Sequence, residues 1–337
     1  MPKPGEERGP VPSIYSQYTR ASSHRYKSAK KGVPFNVMLV GASGLGRRTF
    51  LNTLCERPIV NTEINEGENL ESGVVEPMKI QNYTVDLEED GMRIMLNVVD
   101  TPGFGDGIDN SDVFKEIQDY LEYQFDEVLE EENRIKRNPK FRDGRVHILL
   151  YFITPTGHSL RSLDIEFMKR LGDRVNIIPV IGRADSFTSE ELRKFKRRIM
   201  QDIDYYRIPI YMFPSTEDDD DETIEENNEL RSVLPFAVVG CDEVLEDNER
   251  PIRARLYPWG AVEVDNEEHN DFDRLRYILL NSHLSDFRDI TNNIIYESYR
   301  TEKLSAEDMD EDEDAESVSE HADEIRESGN GNVSLAV

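Results

Sequence analysis

The stretch Gly41-Ala-Ser-Gly-Leu-Gly46-Arg47-Arg48-Thr49 constrains the fold more than any other part of the chain. Before it, Phe35-Asn-Val-Met-Leu-Val40 is a short apolar run of buried-strand type, and after it Thr49-Phe-Leu-Asn-Thr-Leu54 continues in helical register. Strand, glycine loop and helix in that order make a phosphate-binding loop. Its glycines, Gly41, Gly44 and Gly46, let backbone N–H groups turn inward around phosphate oxygens at a helix N-terminus, where the helix dipole also favours an anion. The pattern calls for Lys, then Ser or Thr, after the last glycine; this chain has Arg47 and Arg48. Spacing alone also suits a glycine-rich turn in an ordinary α/β domain, so the downstream motifs decide.

Residues 61–76 are polar and aperiodic, a long surface loop where a GTPase has its first switch. Ile80 to Leu87 and Met92 to Val99 alternate around Asp90-Gly91, the pattern of a β-hairpin. The second strand runs into Asp100-Thr-Pro-Gly103, a DxxG element in which the carboxylate holds magnesium through water and the Gly103 N–H senses a γ-phosphate. Val113 to Glu132 has helical spacing, Val146 to Phe152 is a buried strand, and Asp164 to Leu171 is helical. His158 lies in the loop between them, with no Ser or Cys partner pattern to make it a general base. The strand Val175 to Ile181 leads into Gly182-Arg183-Ala184-Asp185, where a GTPase reads guanine with an Asp carboxylate and covers the ring with a Lys stem. Here Asp185 is present and Arg183 replaces the lysine; capping of the helix predicted from Ser189 to Asp204 is the other reading of Asp185. Ile208 to Phe213 and Phe236 to Gly240 read as two further strands, with the acidic run 217–222 as solvated loop between them. The order implies an α/β fold of Ras-like P-loop NTPase type: a mostly parallel sheet, helices on both faces, ligands at the strand C-terminal ends.

A net charge of −29 argues against general nucleic-acid binding, but it is unevenly spread. Residues 1–33 carry net +5, with Arg20, Arg25, Lys27, Lys30 and Lys31 clustered on what reads as a flexible arm able to dock on anionic lipid. Residues 305–337 hold twelve acidic residues against Arg326 and show no heptads, so a disordered tail without a coiled coil is expected from 303 to 337. Only Cys55 and Cys241 are present, which fits a reducing, cytoplasmic compartment and offers no metal or disulfide pattern. Neither a secretory signal nor a run long enough to span a bilayer is seen.

Beyond the GTPase motifs, Arg255-Leu-Tyr257-Pro258-Trp259-Gly260-Ala-Val-Glu-Val264, His269, Asp271-Phe272, Leu275-Arg276 and His283-Leu-Ser-Asp286 resemble the unique element of the septins, filament-forming GTP-binding proteins. The similarity runs from about Lys31 to Arg300, giving a septin-type G domain over 34–302 with its unique element at about 241–302. Gln124 to Glu132 and Arg137 to His147 further resemble the fungal septins that end hetero-octamers. The resemblance implies guanine contacts from Asp185, Gly240 and Arg255, and phosphate contacts from Thr49 and the Gly41–Gly46 backbone. It implies that Trp259, His158 and His269 lie where two subunits meet across their nucleotide sites, and that Asn281 to Tyr299 carries an apolar stripe belonging to a second interface or to the core. The partners it implies are other septin subunits and, through the basic arm, a phosphoinositide-bearing membrane. The expected location is a septin ring or division site at the cell cortex.

Two departures bear on chemistry. Septins that hydrolyse GTP carry a magnesium-binding Thr in the first switch, and the matching place is Pro77; Arg48 likewise removes the direct magnesium ligand. Phosphoryl transfer depends on positioned metal and water, so hydrolysis is expected to be lost and magnesium absent, with Asp100 at most a ligand through water. For the nucleotide two outcomes are open: paired guanidiniums replace the metal charge and hold GTP or GDP, or Arg48 fills the site and leaves it empty. The rival reading is a working GTPase switch in which Thr49 or a neighbouring loop supplies the missing ligand.

Overall fold

A computed structural model describes residues 32–60, 80–105, 110–216, 219–246 and 251–306. The basic arm, the first-switch loop with Pro77, and the acidic tail beyond residue 306 lie outside the described residues. Strand β1 (Val33–Gly41) pairs in parallel with both β3 (Met92–Asp100) and β4 (Ile148–Ile153). Its run is continuous rather than alternating because neighbouring strands cover both edges and packed side chains cover both faces. The six-stranded sheet has the order β2-β3-β1-β4-β5-β6, where β2 (Gln81–Glu89) is the one antiparallel member and β5 (Ile177–Ile181) and β6 (Phe236–Ala237) complete the parallel side. Tyr83, Val85 and Leu87 lean inward on an otherwise exposed β2.

The helices are α1 (Arg47–Cys55), α2 (Ser111–Asn133), α3 (Ser162–Leu171), α4 (Ser189–Tyr206) and α5 (Asp221–Val233). Consecutive residues of β4 show that they cover both faces, since side chains alternate across a strand. Tyr151 meets Phe167 of α3, which in turn meets Phe114 of α2, whereas Phe152 meets Phe50 of α1. A second sheet, β7 (Val244–Glu246), β8 (Pro251–Tyr257) and β9 (Gly260–Glu263), is antiparallel throughout, followed by α6 (Phe272–Tyr277) and α7 (Leu284–Ile290). Asp271 fastens this extension to the main sheet. Its carboxylate accepts from Lys196 Nζ at 2.6 Å and from Ala237 N–H at 2.7 Å, and its own N–H donates to the Ala237 carbonyl at 2.7 Å.

Four expectations change. Ile208 to Phe213 is not a strand; Pro209 lacks an N–H, and the segment meets the sheet through the Tyr211 N–H, which donates to the Ile177 carbonyl at 2.8 Å, and through Phe213, which packs edge-on against Phe236. The strand expected from Phe236 to Gly240 stops at Ala237. The acidic run is not all loop: Asp220 caps α5, accepting from Thr223 N–H at 2.9 Å, and Asp221 and Glu222 occupy the first turn, where the helix dipole favours them. The helix expected from Asn281 to Tyr299 is broken at His283 and carries π-helical turns at Ile278–Ser282 and Thr291–Ile295. Its stripe packs within the chain, because Phe287 stacks on Phe35 at 6.3 Å and meets Tyr211 edge-on at 4.8 Å, and Leu284, Ile290 and Ile295 are buried, while Ile294 is half-buried.

The chain divides into two compact units, Met1–Ile295 and Tyr296–Val337. In the second, residues 296–306 are helical, with Thr301 donating to the Glu297 carbonyl and Lys303 Nζ over the Tyr299 ring.

A buried polar network ties the sheet's lower end to α7. Asn36 Nδ2 donates to the Asp143 and Arg145 carbonyls at 3.1 and 2.7 Å, and Asn176 Nδ2 to the His147 carbonyl and Thr291 Oγ1 at 2.8 and 3.1 Å. His147 Nδ1 accepts the Asn36 N–H at 2.9 Å, so the imidazole is held neutral. Burial, helped by Arg288 and Arg145 and opposed by Asp143, pushes its pKa down to about 3. The unfolded chain takes up this proton near pH 6.5 and the folded chain does not. This contribution to stability is therefore complete above pH 6.5 and declines as pH falls toward 3, by up to about 1.4 kcal/mol per pH unit. Urea unfolding across that range is expected to show this slope, and His147→Asn, which keeps an acceptor for Asn36, to flatten it.

Candidate functional site

The phosphate-binding loop is built by close packing at the ends of the parallel strands. A Cβ at Gly41 would lie 2.7 Å from the Phe152 carbonyl oxygen, and one at Gly240 would lie 2.8 Å from the Phe50 nitrogen of α1. Gly46 precedes α1 in the left-handed region, φ 80°, and gives the helix no side-chain cap. The first N–H groups of α1 thus have no side-chain acceptor at the cap. Gly44 faces open space, and Gly103 packs so tightly that a Cβ there would meet Ser43 Oγ at 2.3 Å. Thr49, half-buried, lies in the first turn of α1.

Arg47 does not extend over the loop. Its Nη1 donates to the Thr101 carbonyl at 2.9 Å and to the Leu39 carbonyl and Thr101 Oγ1 at 3.3 Å, joining the ends of β1 and β3. The same nitrogen is 3.6 Å from Asp100 Oδ1. Burial lowers its pKa, opposed by Asp100 and reinforced by Arg48. Arg48 Nε donates to Asp100 Oδ2 at 3.2 Å, and its side chain remains 41% exposed. Asp100 is buried, and its Oδ1 has no hydrogen-bond partner among the described residues. One carboxylate is therefore held between two guanidiniums.

At the other end of the loop, Gly182 packs against the Leu45 carbonyl, and the exposed Arg183 takes a left-handed conformation, φ 54°, that turns the chain into Asp185. Asp185 Oδ2 accepts from Arg255 Nη1 at 3.3 Å and from the Tyr257 hydroxyl. Oδ1 is buried with no partner among the described residues, so a ligand presenting an N–H edge fits it. Burial works to lower the Arg255 pKa, but Asp185 and Tyr257 outweigh it and hold it raised; burial and Asp185 also raise the Tyr257 pKa, keeping its phenol a donor. Leu45, Gly46, Arg183, Val238, Gly240 and Arg255 surround a space of about 10 Å³. That holds about one water.

Outside this space lies an open cleft of about 800 Å³ lined by Asp185, Phe187, Trp259, Val262 and His269. Trp259 and His269, expected together at an interface, share this cleft; His269 Nδ1 accepts the Glu263 N–H at 3.1 Å. His158 does not line it. It is exposed one residue beyond Gly157, whose carbonyl accepts from Arg198 of α4. Tyr257 carries no role in the sequence reading, although the signal was available: Arg255 and Tyr257 are two apart on β8 and so share a face. Among the described residues no cluster of His, Cys, Asp or Glu suited to a metal is gathered, and no helix is long and apolar enough to cross a membrane.

A P-loop on a mostly parallel sheet, with the Asp100–Gly103 and Gly182–Asp185 segments packed against it, defines a P-loop α/β domain of Ras-like type. A family model described as Septin matches residues 31–313. The chain is 50% identical over 307 residues to "Septin homolog spn3" of Schizosaccharomyces pombe, covering 89% of this chain and 82% of that protein. It is 49% identical over 287 residues to "Cell division control protein 11" of Saccharomyces cerevisiae, covering 84% and 69%. The septin GTPase domain from Chlamydomonas reinhardtii superposes with a TM-score of 0.60 at 25% identity, covering 80% of this chain and 98% of that one. The chain belongs to the septin family.

The two arginines are expected to separate in their effects. Arg47→Met removes a buried cation from Asp100 and the strand-end carbonyls and should cost about 3 kcal/mol of unfolding free energy. Arg48→Ala removes a part-exposed pair and should cost under about 1 kcal/mol, both read by chemical denaturation.

Proposed function

We propose that this chain is a septin subunit that assembles with other septin subunits into hetero-oligomeric filaments or rings at the membrane. There it serves as a scaffold in cytokinesis, septation and morphogenesis, without hydrolysing GTP. The observation that carries the silent part is the pairing of Asp100 with Arg47 and Arg48. The donor set does not suit a divalent cation: the carboxylate that would hold its water faces two fixed positive charges, and position 48 offers no hydroxyl. The base end suits guanine better, through the unpartnered Asp185 Oδ1. GTP or GDP would then be held by Asp185, Arg183, Gly240 and Arg255 at the base and by the Gly41–Gly46 backbone, Thr49 and Gly103 at the phosphates, with Arg48 supplying charge in place of metal.

The stretches Gln124 to Glu132 and Arg137 to His147 support a place among the fungal subunits that end the oligomer. Trp259 and His269 then belong to the face that meets a second septin across the nucleotide sites, with His158 nearby. The G domain takes residues 34–302, and the basic arm, Arg20 to Lys31, contacts anionic lipid. The division site at the cell cortex follows from these contacts.

Single-turnover assays with GTP should show no hydrolysis, and nucleotide released on denaturation should be GDP or none. A GTP/GDP mixture that turns over would establish the rival, an active switch. Co-purification with other septins supports assembly, and its absence with retained vesicle binding would indicate a membrane adaptor instead. Because Arg48 stands where the metal ligand would be, GDP affinity should change less than about twofold between magnesium and EDTA by calorimetry.

A further inference from the structure

The hairpin β8–β9 presents its own hydrogen-bond donor to the carboxylate that reads the base. Tyr257 ends β8, pairs with Gly260 across a two-residue turn of Pro258 and Trp259, and sends its hydroxyl to Asp185 Oδ2. The Asp185 side chain is 4% exposed, so each donor it accepts carries weight. A guanine edge offers two adjacent N–H groups, one for each carboxylate oxygen. In this conformation one oxygen is shared by Tyr257 and Arg255 while the other is buried without a partner. The space enclosed between Arg255, Arg183 and Gly240 is about 10 Å³, far too small for a purine, whereas an open cleft of about 480 Å³ lies along Thr49, Arg255 and Tyr257. Trp259 moves with Tyr257, because the two rings stack at 4.8 Å with planes 4° apart, and Trp259 is 67% exposed on the outer cleft.

We propose that Tyr257 is an internal competitor for the guanine edge: phenol and base are alternative donors to Asp185, and binding the base swings the β8–β9 tip, with Trp259, away from it. The inference rests on Asp185 reading guanine. It makes Tyr257 a residue that sets nucleotide affinity without contacting the nucleotide. It also couples occupancy to the cleft surface around Trp259 and His269, so the filled and self-occluded chains offer different faces to a neighbouring subunit.

Trp259 is the single tryptophan of the chain and reports this movement directly. Titrating the full-length protein with GDP should shift Trp259 emission, whereas ADP, whose base has no N1–H donor, should leave it unchanged. Tyr257→Phe keeps the ring and its stacking but removes the donor, and should bind GDP about tenfold more tightly by calorimetry, the equivalent of roughly 1.4 kcal/mol. Should the variant fold poorly, the wild-type fluorescence titration decides alone. GDP binding with unmoved Trp259, or with equal affinity in wild type and Tyr257→Phe, overturns the competitor and leaves guanine reading in place. Absence of GDP binding in both proteins overturns guanine reading and the competitor together.

Discussion

Everything at the site depends on β1 being clasped in parallel by β3 and β4. That pairing sets Gly41 opposite Phe152 and Leu39 opposite Asp100, so the ends of three strands gather within two residues of one another. The chain leaving β1 must turn in the space between its neighbours' ends, where the Phe152 carbonyl admits only glycine at position 41. Arg47 then uses the same ends as acceptors. Its buried guanidinium links Leu39 of β1 to Thr101 beyond β3, so a cation that in a phosphate-binding loop would serve the ligand here serves the scaffold.

The two ends of the loop differ in how far they have moved from nucleotide chemistry. At the phosphate end positive charge is plentiful but committed, with Arg47 engaged by the Leu39 and Thr101 carbonyls beside Asp100 and Arg48 partly engaged by Asp100. At the other end the Asp185 carboxylate retains an unpartnered oxygen, and its other oxygen is held by donors from the β8–β9 hairpin. The arginine pairing at Asp100 and the open oxygen of Asp185 are separable features, because they lie beyond different strands and share no side chain.

Much of this was legible in the sequence, for identifiable reasons. The buried parallel strands announced themselves as unbroken apolar runs, and the DxxG and Gly182-Arg-Ala-Asp185 segments by their place at strand ends. What escaped was set by partners distant in the chain. Ile208 to Phe213 has strand composition but meets β5 through Tyr211 without forming a ladder, and α5 was hidden by an acidic run whose charges suit a helix start only once Asp220 is seen capping it. For the two arginines the sequence leaves open a pair of guanidiniums facing a ligand or Arg48 filling the site, and nothing local shows that Arg47 would reach back to carbonyls of two strands. Likewise the apolar stripe of α7 reads equally well as surface or core until Phe35 and Tyr211 are placed against Phe287.

Asp271 has a consequence for how copies of such a domain meet. A sheet whose outermost strand is only two residues long would expose backbone donors and acceptors to any passing strand. Here the outward N–H and carbonyl of Ala237 are both taken by Asp271, and the opposite margin, β2, shows charged Asp86 and Glu88 to solvent. Both margins are thereby closed to runaway strand addition of the amyloid kind. Contact between copies of such a domain is left to side-chain surfaces, whose geometry can stop, bend or reverse.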